Sequence, residues 1–314
     1  MKKILFIDNT HQILVEKLSS AGFLCDLKPG ISRADLLKII HEYEGIIIRS
    51  RIELDAEILN LAKNLKFIGR VGAGMESIDV RLAEKIGIKV YNSPEGNRDA
   101  VGEHATGMLL SLFNNLNRTD REIKSGEWNR EKNRGIELKG KTVAIIGYGN
   151  MGSAFARKIS GFEATVIAYD KYKEGFSDSF VSEVQMEEVF EKADILSLHV
   201  PLTAETNYLV NLSYLEKFKK HLYIINTSRG PVVKTSDLVN AIKSGKVRGA
   251  CLDVIEYEER SFENLSLKDM PDDFKYLCSC ENVIMSPHIA GWTVESKIRL
   301  AGVLGEKIVG GYGL

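Results

Sequence analysis

Several short stretches of the chain carry residue types and spacings suited to chemistry. Gly147-Tyr148-Gly149-Asn150-Met151-Gly152 follows the apolar run KTVAIIG and precedes the helical pattern SAFARKIS. A GxGxxG placed between a strand and a helix reads as a dinucleotide cradle. Gly147 permits the tight turn, Gly149 lets backbone approach a pyrophosphate, and Gly152 allows close packing of helix on strand, with the phosphates facing the helix N-terminus. The next apolar run, TVIAYD, ends on Asp170, eighteen residues beyond Gly152 (170 minus 152), where an acid would grip the adenosine ribose hydroxyls. A carboxylate there repels a 2′-phosphate, so NAD is the expected cofactor, with Lys171 as the neighbouring cation that could soften the choice. Arg229 in NTSRGPVV, Glu258 in LDVIEYE and His288 in MSPHIAGWT also stand near the ends of apolar runs. A histidine there is a candidate for moving protons near neutral pH. Taken singly, each of the three also suits a purely structural place.

Arg49 and Arg51 in IIIRSRIELD are two apart at the end of another apolar run. If the strand continues that far, both side chains point to one side of it, at the sheet end where ligands of open parallel sheets gather. The competing expectation is local pairing with Glu53 and Asp55.

The elements that must hold these residues alternate from the first residue. KILFI, EGIIIRS and LKFIGRV are each followed by an amphipathic stretch, and a second series, KTVAIIG, TVIAYD, DILSLHV, LYIINTS, VRGACLDV and NVIMSPH, repeats the pattern. This is the signature of parallel α/β sheets. Gly22 and Gly87 follow helical stretches and suit left-handed C-caps. Between the two series, AVGEHATGMLLSLFNNLNRTDREIKSG reads as one long helix, wide in its apolar coverage. The last helical stretch, TVESKIRLAGVLGEKIVG, is expected to cross back onto the first series. The acidic stretch 256–281 has no assignment beyond a solvated excursion.

Composition sets the outer limits. With 314 residues, 44% hydrophobic and 27% charged, the chain can bury two ordinary cores. Forty-two basic against forty-three acidic residues leave a net charge of -1, so no footprint for nucleic acid or anionic membrane is expected. The N-terminal apolar run is too short for a signal core or a membrane span. Cys25, Cys251, Cys278 and Cys280 lack a disulfide spacing, which suggests a reducing cytoplasm, and the pair Cys278 and Cys280 has no accompanying ligand cluster, so no metal is expected.

Taken together, GYGNMG, HVPLTAET, INTSRGPVV, LDVIEYE and SPHIAG, in this order and spacing, resemble the D-isomer-specific 2-hydroxyacid dehydrogenase family. The resemblance extends over IIIRSRIELDAEIL, VGAGMESIDV and GIKVYNSPEGNRDAVGEHATGMLL, and so over nearly the whole chain. It implies an α/β fold of two parallel-sheet domains, Rossmann-like and flavodoxin-like, with the active site in the cleft between them. Residues 1–98 and 289–314 would form the substrate-binding domain and residues 99–288 the NAD-binding Rossmann domain. The implied partner is a small 2-hydroxy or 2-keto acid, D-3-phosphoglycerate foremost, with glyoxylate, hydroxypyruvate, D-lactate and erythronate 4-phosphate as alternatives. Arg229 would bind the substrate carboxylate and keto oxygen, His288 would be the acid/base, and Glu258 would orient His288. Around NAD the resemblance places Gly147, Gly149, Asn150, Met151, Gly152, Asp170, Val200, Pro201, Thr227, Ser228, Arg229, Asp253, His288 and Gly291, with Asp253 on the nicotinamide carboxamide. The backbone of Gly72, Ala73 and Gly74 would hold the substrate carboxylate, and Arg49 and Arg51 its phosphate. Two positions depart from the family pattern: Glu259 stands where a proline usually follows the glutamate, and Trp292 is bulkier than usual, which would reshape the pocket. A homodimer through residues 99–124 is expected, and no regulatory module after the last helix. A non-catalytic NAD(H)-sensing interaction protein is the rival reading, against which the intact Arg229, Glu258 and His288 set argues.

Overall fold

The computed structural model describes residues 2–258 and 270–312, and these divide into two compact units, 2–98 with 292–312, and 99–258 with 270–291. Among the described residues, no helix is long and apolar enough to cross a membrane.

The first unit runs β1 (Lys2–Phe6), α1 (Gln12–Ser20), β2 (Phe23–Leu27), α2 (Arg33–Ile39), β3 (Gly45–Ile48), α3 (Ala56–Leu61), β4 (Phe67–Arg70), α4 (Val80–Lys85) and β5 (Lys89–Asn92). Its strands form one parallel sheet of order β2-β1-β3-β4-β5. Successive strand residues serve opposite faces. Leu5, Ile46, Ile48 and Ile68 join one core cluster, while Ile4, Phe6, Ile47 and Phe67 join another with Leu14, Leu18, Leu300, Leu304 and Ile308. The last three belong to the C-terminal helix, which therefore covers this sheet together with α1. Burial on both faces explains why these strands read as continuous apolar runs. Gly22 and Gly87 end α1 and α4 at φ 83° and 84°, the left-handed caps expected of them. The edge strand β2, FLCDL, escapes sequence reading because only Phe23 of its five residues is buried.

The second unit runs α5 (Arg98–Phe113), α6 (Leu116–Lys124), β6 (Thr142–Ile146), α7 (Asn150–Ile159), β7 (Thr165–Tyr169), β8 (Ser182–Glu183), α8 (Met186–Lys192), β9 (Ile195–Leu198), α9 (Leu212–Glu216), β10 (Leu222–Asn226), α10 (Thr235–Lys243), β11 (Val247–Leu252), α11 (Asp272–Ser279) and β12 (Val283–Met285). Helix α12 (Val294–Tyr312) then completes the first unit. The second sheet is parallel in the order β12-β11-β10-β9-β6-β7-β8. Its central strands alternate as well: Ala144, Ile146, Leu196 and Ile224 face one cluster, Val143, Ile145, Ile195 and Ile225 the other. The strand order reverses between β6 and β9, the switch point where open α/β sheets bind ligands.

The single long helix expected between the two series is a pair. α5 stops at Phe113, and Asn115 takes a left-handed conformation at φ 54° before α6. Asparagine tolerates that region better than most residues, and its Nδ2 donates to the Asn133 carbonyl. Of the acidic stretch, residues 259–269, Glu259 among them, lie outside the described residues. Its later part contains α11.

Candidate active site

The glycines of the second unit make a cradle at the switch point. Gly147 turns at φ 91°, and a Cβ on it would meet the His199 carbonyl at 2.6 Å. A Cβ on Gly152 would lie 2.1 Å from the Gly147 carbonyl oxygen, so only glycine lets α7 start against β6. Gly149 caps α7 and has nothing within 4 Å of where its Cβ would be, leaving space over the first turn that carries Asn150 and Met151. Asp170 follows β7; its two carboxylate oxygens accept the Tyr148 N–H at 2.8 Å and the Tyr172 N–H at 2.9 Å. One lone pair on each oxygen is thereby used, and those remaining suit ribose hydroxyls. Val200 and Pro201 follow β9 on the other side of the switch point. Thr227, after β10, has a buried Oγ1 with no hydrogen-bond partner among the described residues, a polar atom that a bound dinucleotide would satisfy. The cradle, the acid and the orphaned hydroxyl fit NAD.

Two strand ends bring the proposed proton carrier and its partner together. His288 Nδ1 lies 2.7 Å from Glu258 Oε2, while the Ile255 N–H donates to Glu258 Oε1. An ionised carboxylate only accepts, so Nδ1 carries the hydrogen and Nε2 is the other working nitrogen of the ring. His288 itself sits at φ 56°, a strained region for a non-glycine residue and one that clusters at functional sites. Its N–H is shared between the Asp253 carbonyl at 2.8 Å and the Ser286 carbonyl at 3.0 Å. Asp253, 1% exposed, accepts the Ser286 hydroxyl at 2.7 Å and the Ile289 and Ala290 N–H groups, both at 2.8 Å. The residue assigned to the nicotinamide thus also clamps the loop that presents His288 and leads on to Gly291.

Arg229 stands on the loop after β10. Asn226 staples that loop, accepting from the Ser228 N–H and hydroxyl and donating to the Arg229 carbonyl at 2.9 Å. Arg229 Nη1 donates to the Ser228 carbonyl at 2.6 Å. A Cβ on Gly230 would fall 1.9 Å from the Ile255 carbonyl oxygen, so glycine is what lets the Arg229 loop approach the segment that carries Glu258.

In the first unit, β3 stops at Ile48, before Arg49, so the two arginines do not project from one continuous strand. The chain turns away there because Asp8 accepts the Arg49 N–H at 2.6 Å and Arg51 Nε at 3.1 Å. Arg51 also donates to the Ile31 and Ile7 carbonyls at 2.8 and 2.7 Å, which makes its guanidinium a tie within the loop. The Arg49 guanidinium lies over the Trp292 ring, 4.4 Å from its centroid. Gly72, at φ 149°, leaves the space taken by the tip of Arg70: a Cβ there would be 1.3 Å from Arg70 Nη1. The carbonyls of Gly72 and Ala73 are held by the Ser93 N–H and Asn92 Nδ2, which fixes the loop through Gly74. Sequence reasoning missed Asp8, Arg70, Asn226 and Ser286. Asp8 had a signal, since it follows an apolar run just as Asp170 does.

Residues 106–290 match the family model described as D-isomer specific 2-hydroxyacid dehydrogenase, NAD binding domain. A D-3-phosphoglycerate dehydrogenase of Archaeoglobus fulgidus is 36% identical over 309 residues, which cover 98% of this chain and 56% of that protein. This chain therefore spans little more than half the length of that relative. A hydroxypyruvate reductase of Thermotoga maritima is 36% identical over 278 residues, 88% of each chain. Among solved structures, the D-lactate dehydrogenase of Aquifex aeolicus complexed with NAD and lactic acid superposes with a TM-score of 0.80 at 27% identity, covering 99% of this chain and 94% of that one.

Proposed function

Because the chain belongs to the D-isomer-specific 2-hydroxyacid dehydrogenase family and residues 106–290 are its NAD-binding domain, we propose that it interconverts a D-2-hydroxy acid and its 2-keto acid. The observation that carries this reading is the 2.7 Å contact of His288 Nδ1 with Glu258. NAD, held by the Gly147–Gly152 cradle with Asp170 toward its ribose, would supply the acceptor for the hydride that leaves C2 of the hydroxy acid. Loss of that hydride makes the hydroxyl proton acidic, and His288 Nε2 takes it, returning it in the reverse direction. Glu258 fixes the tautomer and favours the imidazolium that forms. Arg229, a planar fork with a permanent charge, suits the carboxylate and polarises the C2 oxygen. The backbone of Gly72, Ala73 and Gly74 adds donors for the carboxylate.

The proposed substrate is D-3-phosphoglycerate, supported by the relative that matches over 98% of this chain and by Arg49 as the phosphate cation. A second reading, hydroxypyruvate, is favoured by the equal identity of the Thermotoga relative and by Arg51 being spent on Asp8, Ile31 and Ile7. NADH absorbance recorded with phosphohydroxypyruvate, hydroxypyruvate, glyoxylate and pyruvate tests both. Turnover with none of them would favour a non-catalytic NAD(H)-binding protein instead. His288→Ala is expected to lower turnover about 10²–10⁴-fold while NADH binding persists. Arg49→Ala is expected to raise KM for phosphohydroxypyruvate more than for hydroxypyruvate; an equal effect on both would overturn the phosphate assignment. We also propose a homodimer through α5 and α6, where Leu116, Ile123 and the following Trp128 are 53%, 52% and 77% exposed. Sedimentation of Ile123→Glu against the unaltered protein tests it.

A further inference from the structure

α5 places His104 against the loop that presents His288. His104 Nε2 lies 2.9 Å from Ser286 Oγ and 3.5 Å from Asp253 Oδ1. Ser286 has one hydroxyl hydrogen, and three acceptors are within reach: Asp253 Oδ1 at 2.7 Å, the thioether of Met108 at 3.8 Å and, in its other tautomer, His104 Nε2 at 2.9 Å. The carboxylate is much the stronger acceptor, so the hydroxyl donates to Asp253 and Ser286 Oγ accepts from the histidine. His104 therefore carries its hydrogen on Nε2, and a neutral ring is sufficient. Asp253 in turn holds the Ile289 and Ala290 N–H groups with its carboxylate and the His288 N–H with its carbonyl. A left-handed conformation such as that of His288 persists only where its surroundings over-determine it. The chain of contacts from α5 through Ser286 and Asp253 to residues 288–290 is one such set.

We propose that His104 is a positioning residue: its Nε2–H pins the Ser286 hydroxyl on Asp253 and so fixes the backbone that presents His288. The kinetic arm of the test rests on the reading of His288 as the proton carrier; the exchange arm does not. His104→Leu removes the donor, whereas His104→Gln returns an N–H at a similar reach. Turnover and KM with the active keto acid, NADH affinity by fluorescence, and hydrogen exchange of the Ile289 and Ala290 amides are measured for both. His104→Leu is expected to lower kcat about tenfold, as small misplacements of a reacting group do, with NADH affinity within about twofold. Its Ile289 and Ala290 amides should exchange faster. His104→Gln should recover most of both losses. Ser286→Ala should reproduce the leucine phenotype, and the double variant should be no worse than either single one. Equal losses in the leucine and glutamine variants, or unchanged exchange in His104→Leu, would overturn the proposal. If the unaltered protein turns over no keto acid while the exchange pattern holds, the proposed function fails and the positioning role stands.

Discussion

Lys171 follows Asp170, and a cation in that place raises the question of whether it could receive a 2′-phosphate. Its ammonium is 2.6 Å from Glu205, and the Tyr172 hydroxyl donates to the same carboxylate oxygen at 2.8 Å. Lys171 and Tyr172 together hold the Glu205 carboxyl below its ordinary range. The lysine charge is thus matched locally, and Asp170 keeps its remaining lone pairs for ribose hydroxyls. Glu205→Gln is expected to raise NADPH affinity about three- to tenfold, the size of one charge-assisted contact in an exposed place, and to leave NADH within about twofold. Asp170→Ala should weaken NADH by about tenfold or more. Fluorescence titration with both nucleotides checks this without any substrate. NADPH affinity unchanged in Glu205→Gln would mean that Lys171 has no part in the choice of cofactor. Sequence spacing singled out Asp170 and Lys171, because both lie beside a strand end after the glycine motif. Glu205 is 34 positions beyond Lys171, and no local pattern announces a partner at that distance.

At the scale of elements, the loops that follow β10 and β11 come together because Gly230 allows it. Adding one methyl group there would bring it within 1.9 Å of the Ile255 carbonyl oxygen and 2.6 Å of the Glu256 nitrogen. Backbone on both sides cannot yield as a flexible side chain would. Gly230→Ala is therefore expected to cost about 1–3 kcal/mol or more in stability and to displace the segment that holds Glu258 against His288. Urea unfolding reads the first effect and turnover the second. A variant with unaltered midpoint and turnover would show that the two loops have slack the geometry does not suggest. The sequence put Gly147 and Gly152 in their roles through a motif with a known physical logic, whereas Gly230 sat unexplained between Arg229 and Pro231. The helix between the two series was legible as helical but not as broken. The break needs one left-handed residue, and Asn115 is only one of several asparagines nearby. The strand β3 likewise stops at Ile48, short of the continuation through Arg49 and Arg51 that the sequence left open, since the contact at its end comes from Asp8, more than forty positions away.

For each sheet as a whole, the parallel α/β class was readable because strands buried on both faces must be apolar along their buried length, as VAII of β6 and GIII of β3 are. Edges were harder: β2 and the two-residue β8 bury too little to leave a pattern. The same two-faced burial creates a liability in the NAD-binding unit. His199, just past β9, lies against the Phe155 ring, with Nε2 2.8 Å from Ser197 Oγ and Nδ1 buried without a partner among the described residues. Burial pushes its pKa down to about 4 from an ordinary 6.5, because the imidazolium would be desolvated with no anion to compensate it. The unfolded chain therefore takes up a proton below about pH 6.5 that the folded unit refuses until about pH 4. The stabilisation is fully present above the higher value and is lost as pH falls through this window, by an amount on the order of 3 kcal/mol. His199→Gln keeps a polar group near Ser197 but cannot titrate. Its urea midpoint should fall less than that of the unaltered protein between pH 7.5 and 5, even where it starts lower. Carboxylates elsewhere contribute equally to both proteins and cancel in the comparison. Parallel curves for the two would show that His199 takes up its proton alike in the folded and unfolded states, and that the acid sensitivity of this unit has another source.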